Sequence, residues 1–247
     1  MARLLMFGML AGLFAAVLAF AVAWLGGEPA IEAAIAIEEQ ASGGHAHGAG
    51  EETDGHSHAH GSGEDGGGIG RGTQSGIGLF TGLAVFGVAL GGVFAIVYSL
   101  VQNRLSFQPA ATTIRLIGLL GFVSVVLVPM LKYPGTPPAV GDPETIGTRT
   151  VMYFLFLALS LAALGLGVAV GRQMADLRRA VLVGGATYLA AMALAFVILP
   201  SFPVAGDAFP RDLLWRFWIA NAAIHATLWA GISLAFGWLI RTRPFAA

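Results

Sequence analysis

The chain has 247 residues, of which 56% are apolar and only 11% charged. A soluble domain of this size needs roughly a quarter of its residues charged to coat its surface, so lipid must cover much of this one. Net charge is −1 and the 13 basic residues are scattered, which excludes a nucleic-acid-binding surface; the absence of cysteine excludes disulfides, thiolate metal sites and cysteine nucleophiles.

Long uncharged apolar blocks recur along the chain, the direct signature of membrane-spanning helices. The first runs from Leu4 to about Leu25, preceded by Arg3. As a helix it reaches about 33 Å, enough to cross a bilayer. A cleaved signal peptide ending near Ala19-Phe20-Ala21 is the rival reading, but signal-peptide apolar cores are shorter, about 7–15 residues. A retained helix over 1–25 is therefore expected.

Residues 26–75 change character: they are rich in Gly, Ala, Ser, His, Glu and Asp, with almost no large apolar residue after Ile37. Such a stretch cannot bury enough surface to offset its ordering entropy, so an acidic, disordered loop outside the membrane is expected, with a short interfacial helix at 32–39 as the exception. Further apolar blocks lie at about Gly76–Val101, Leu116–Leu131, Val151–Val170, Ala180–Leu199 and Phe217–Ile240. These make residues 76–247 a five-helix membrane bundle, with a proline-rich outer loop at 132–149. The Leu116–Leu131 block is short and carries Pro129 near its end, so it reads as spanning, tilted or re-entrant.

Basic residues favour the spanning choice. With six spans and the N-terminus inside, Arg3, Arg104, Arg115, Arg172, Arg178, Arg179, Arg241 and Arg243 face the cytoplasm, and Arg71, Lys132, Arg149, Arg211 and Arg216 face out. Five spans would even out the distribution. The expected fold is thus an all-α polytopic bundle of about six helices, five being the alternative, with both termini inside. All acids but Asp176 then lie outside, where they would enrich cations near the entrance. Glycines four apart (Gly8/Gly12, Gly78/Gly82, Gly87/Gly91, Gly167/Gly171) are candidates for close helix packing.

Three groups of residues could carry chemistry. In the first, His45, His47, His56, His58 and His60 fall in one short acidic tract, and residues two apart on an extended chain project to the same side. Each His-X-His unit can offer two imidazoles to one ion, with neighbouring carboxylates completing the shell. That donor set suits divalent Co, Ni, Zn or Cu. A tract without fixed geometry captures ions and does not catalyse; the bland alternative is a solvated linker.

In the second group, Trp218, Asn221, His225 and Trp229 share one face of the last helix. A polar Asn–His pair inside a span either lines a pathway or bonds across helices. The third group is Met130, Tyr133 and the stiff loop Pro134–Thr145, where Asp142 and Glu144 supply oxygen ligands at what is either a pore mouth or a plain turn. No nucleotide-binding, dinucleotide-binding or serine-elbow motif is present, and nothing points to an enzyme.

The run Leu131-Lys132-Tyr133-Pro134-Gly135-Thr136-Pro137-Pro138-Ala139-Val140-Gly141-Asp142-Pro143-Glu144-Thr145, followed by Arg149 and Tyr153, resembles the CbtA family of cobalt transporter subunits. So do Phe209-Pro210-Arg211-Asp212-Leu213-Leu214-Trp215-Arg216-Phe217 and Leu228-Trp229, and the N-terminal helix with its His-rich loop. The resemblance covers nearly the whole chain. It implies a role in cobalt uptake across a bacterial cytoplasmic membrane, often beside a small His-rich membrane partner, in a cobalamin-linked context. Family members are often described with five spans, and a glutamine is expected near the position that His225 occupies here.

The resulting expectation is a subunit of a divalent-metal uptake system. It would hold no permanent cofactor, with Co (or Ni or Zn) as substrate, and contact the lipid bilayer and a small partner, with homo-oligomers open. The rival is a membrane-anchored metal sensor or assembly partner that does not transport.

Overall fold

A computed structural model describes residues 1–43, 70–102, 109–138, 140, 143–203 and 209–242. The described residues contain no strand and six helices long and apolar enough to cross a membrane. Helix α1 runs over Ala2–Val22, passes a π-helical turn at Ala23–Gly27 and continues over Glu28–Gly43. The others are α2 (Arg71–Gln102), α3 (Ala110–Lys132), α4 (Ile146–Gly171), α5 (Leu177–Ile198) and α6 (Arg211–Thr242). An even number of crossings puts Met1 and Thr242 on one side, here called the terminal face.

Two expectations change. Composition places the end of the first helix near residue 25, with a mostly disordered chain after it apart from a short helix at 32–39, yet the whole of 28–43 is helical and continues the first helix. The reason is tertiary: Ala30 and Ala34 are buried against Leu213 at the start of α6, with Ile37, Phe209 and Phe217 around them. Helix α3 also extends beyond the short block Leu116–Leu131. Its first turns lie at Ala110–Arg115, where Thr113 and Ile114 are buried, so its 23 residues reach about 34 Å and can cross. The six expected spans are thereby found, and the five-span alternative falls away.

The helices divide into two packed groups. In the first, α1, α2, α3 and α6 share a core that includes Phe7, Phe94, Tyr98, Leu228, Trp229, Ile232 and Phe236. Glycine pairs let α1 and α2 touch backbone to backbone: a Cβ added at Gly12 would collide with the Gly87 carbonyl, and one at Gly8 with that of Gly91. Two of the expected glycine pairs therefore face each other, antiparallel. In the second group, α4 and α5 meet where Gly167 opposes Gly184 and Gly171 opposes Ala180. Gly82 has no atom within 4 Å of where a Cβ would stand, so its spacing carries no contact.

Helix α3 joins the groups, giving Ile114 and Val126 to the first core and Val123 and Val128 to the second. It accommodates Pro129 through a π-helical turn at Phe122–Leu127, in which the Val128 N–H reaches back five residues to the Val123 carbonyl. The next donor in that register would be residue 129, which as proline has no N–H. The Ser124 carbonyl so released accepts instead from the Ser160 hydroxyl of α4 at 2.7 Å, and Ser160 is 2.9 Å from the Tyr188 hydroxyl of α5. All three residues are buried, and the chain of hydroxyls fastens α3, α4 and α5 together. Pro29 in α1 is handled similarly: it follows the π turn at Ala23–Gly27, where the Glu28 N–H reaches Ala23.

Candidate functional site

The polar stripe of α6 begins opposite the terminal face. Trp218 donates its indole N–H to the Gly135 carbonyl at 2.9 Å. A Cβ on Gly135 would sit 3.6 Å from the Asn221 amide nitrogen and 3.7 Å from the Phe217 ring. The proline segment thus lies directly on α6, and the structure brings together two groups of residues far apart in sequence.

One turn beyond Asn221 is His225, half-buried, its ring meeting Phe86 of α2 edge to face at 6.2 Å. Its Nδ1 is buried and has no hydrogen-bond partner. Buried polar atoms are nearly always satisfied, so an open imidazole nitrogen is a place where a ligand or ion can be received. The neighbouring Ile224 packs near Gly27 of α1. Trp229, the last residue of the stripe, closes it: its ring is buried against Phe94 and over Gly121.

The other side of the proline segment is held by two residues at the end of α3. Tyr133 donates to the Pro200 carbonyl at 2.7 Å and its ring meets Phe156 at 5.7 Å. Burial pushes its phenol above the ordinary value, so it remains a neutral donor. Lys132 is buried, with its ammonium 2.9 Å from the Phe196 carbonyl, 2.7 Å from the Ser201 hydroxyl and 4.7 Å above the Phe196 ring. Helix α5 stops at Ile198, with Leu199 extended before Pro200, so the Phe196 carbonyl in its last turn has no intrahelical donor and Lys132 supplies one. A cation at a helix C-terminus is also favoured by the helix dipole. The segment is therefore clamped between α6 on one side and α5 on the other.

Of the remaining expected site residues, Met130 is half-buried in the last turns of α3. Glu144 is exposed in the turn Pro143–Thr145. His45, His47, His56, His58, His60 and Asp142 lie outside the described residues. Among the described residues no three His, Asp or Glu converge on one point, so they form no closed metal cage.

Sequence reasoning missed three features. The Ser124–Ser160–Tyr188 chain and the Lys132 clamp each follow from a proline that orphans a carbonyl, a signal present in Pro129 and Pro200. The third is an ion pair on the same side as the proline segment, between the buried Glu28 carboxylate and Arg71 at the start of α2. Only the fold brings these two together.

Comparison with curated proteins and with solved structures finds no match. The family comparison does, and it covers the helices, the clamped proline segment and the polar face of α6 alike. With the family model for "Probable cobalt transporter subunit (CbtA)" matching residues 1–241, this chain belongs to the CbtA family.

Proposed function

We propose that this multi-pass membrane protein is the subunit that carries cobalt inward, along the face of α6 that runs from Asn221 to His225 beneath the clamped proline segment. The observation that supports this best is the buried, unpartnered Nδ1 of His225, one turn from Asn221, on which the segment rests. Imidazole nitrogen and amide oxygen are ligands suited to a borderline divalent ion, and one or two weak ligands let an ion leave again. The termini face the cytoplasm in this reading. Among the described residues six arginines (Arg3, Arg115, Arg172, Arg178, Arg179 and Arg241) then lie inside against five basic residues outside, a small bias in the direction of the positive-inside rule.

The histidine tract His45–His60 gathers the metal outside. Asp142 and Glu144 contribute negative charge at the mouth, and Met130 and Tyr133 line its inner edge. As one component of a larger system, the chain works beside a second membrane protein in this reading, in a cell that uses cobalt.

The test is accumulation of Co, Ni, Zn and Cu at trace concentration in cells with and without the protein. The wild type should raise cobalt, and His225→Ala, judged against an expression control, should abolish most of the gain. No metal responding to the protein would sink transport by this chain and favour a metal-sensing or assembly role. Cobalt gain that survives both His225→Ala and Asn221→Ala would move the pathway elsewhere.

A further inference from the structure

On the terminal face, α3 and α6 leave a cleft of about 90 Å³ between the first turns of one helix and the last turns of the other. Two guanidinium groups from different helices line it, Arg115 of α3 and Arg241 of α6. Its floor is apolar and already satisfied: a Cβ at Gly237 would be in ordinary contact with Ile114 at 3.8 Å, and the Ser233 hydroxyl is bonded to the Trp229 carbonyl. Ala110 and Ala111 also line the cleft; as first-turn residues of α3 their N–H groups have no intrahelical acceptor, and Pro109 before them offers no side-chain cap.

The charge around the cleft is one-sided. Asp176 is the one acidic residue among the described residues of this face, and it is held by Arg179, with its carboxylate also capping α5. Nothing acidic among the described residues of that face is left for Arg115 or Arg241. The cleft is also continuous with the lipid-facing surface: Leu234, one of its lining residues, is 72% exposed, and Leu119, one turn along α3 from Arg115, is 60% exposed.

From these observations we infer that the Arg115–Arg241 cleft binds the phosphate of an anionic phospholipid of the adjoining leaflet. Two guanidiniums match the oxygens of a phosphate with paired hydrogen bonds, and the open N–H groups of α3 add donors of the same polarity. The exposed leucines would receive the acyl chains, which a free phosphate does not have. The lipid would bridge α3 and α6, the two helices that carry the clamp and the polar stripe. This inference does not depend on what the protein transports.

The experiment is native mass spectrometry of the purified full chain with phosphatidylglycerol, cardiolipin or phosphatidylcholine, with inorganic phosphate as a competitor. The variants are Arg115→Gln/Arg241→Gln, its lysine counterpart, and Arg172→Gln/Arg178→Gln as a control of equal charge on the same face. The wild type should retain one anionic lipid against excess phosphatidylcholine. The cleft double glutamine variant should lose about tenfold in retention, the lysine variant less, and the control almost nothing. Equal loss in the control would mean general attraction to the leaflet and overturn the site. Full displacement by inorganic phosphate would overturn the lipid as its occupant. A thermal melt of each variant before lipid is added separates lost binding from lost fold.

Discussion

Ser160→Ala tests whether side chains replace the hydrogen bonds that prolines remove from this bundle. The serine hydroxyl donates to the Ser124 carbonyl at 2.7 Å and pairs with the Tyr188 hydroxyl at 2.9 Å. Ser124 and Ser160 are 1% and 0% exposed, so neither water nor headgroups can take over. Alanine leaves a carbonyl and a phenol without partners. Orphaned buried groups cost about 1–3 kcal/mol each in soluble proteins, but interhelical bonds in membranes average only about 0.6 kcal/mol. Two lost bonds therefore put the expected destabilisation at about 1–3 kcal/mol. Tyr188→Phe removes only one of them and should cost about half as much.

The decisive comparison uses Pro129→Ala, which restores an N–H at the position that would reach back to Ser124. In that background the Ser124 carbonyl has a backbone donor, and Ser160→Ala should cost less by about 0.5–1 kcal/mol. The assay is reversible unfolding of the purified chain in mixed micelles, followed by circular dichroism, for all four members of the cycle. An equal cost of Ser160→Ala with and without Pro129 would refute the account, because the serine would then be doing nothing that the proline made necessary.

Other consequences can be checked with the same preparation. Lys132→Met keeps the stem but removes the donor to the proline-orphaned Phe196 carbonyl, so it should lower stability by about 1–3 kcal/mol in the same unfolding assay; an unchanged midpoint would show that the clamp is idle. Gly12→Val forces side-chain atoms onto the Gly87 carbonyl and should abolish folded material on size-exclusion chromatography. Gly82→Val meets nothing within 4 Å and should behave as wild type. Cobalt retained by the full chain should fall as pH drops below about 6.5, since protonated imidazole cannot coordinate, and recover at about pH 7.5. Removing residues 43–65, which hold five of the six histidines, should remove most of that pH-dependent fraction and lower uptake only when metal is scarce; equal loss of uptake at high metal would count against a capture role.

Apolar length by itself determined five of the spans, because the bilayer sets one requirement that each segment must meet alone, and the distribution of basic residues favoured the sixth. Spacing likewise marked Gly8, Gly12, Gly87 and Gly91 as small residues on helix faces, and it placed Asn221 and His225 on one side of α6. Spacing could not say that Gly12 would meet Gly87 while Gly82 would meet nothing. Nor could it extend α1 past residue 25, since Ala30 and Ala34 become core only when Leu213 arrives from the far end of the chain. The candidate site divides in the same way. Its residue types were legible, but the docking of Gly135 on Trp218 and Asn221, and the Lys132 clamp beside it, depend on contacts across 64 or more positions. Inside a membrane each backbone group must find its partner within the protein, so a proline's missing donor is visible in the sequence, while the hydroxyl or ammonium that replaces it is chosen by the tertiary packing.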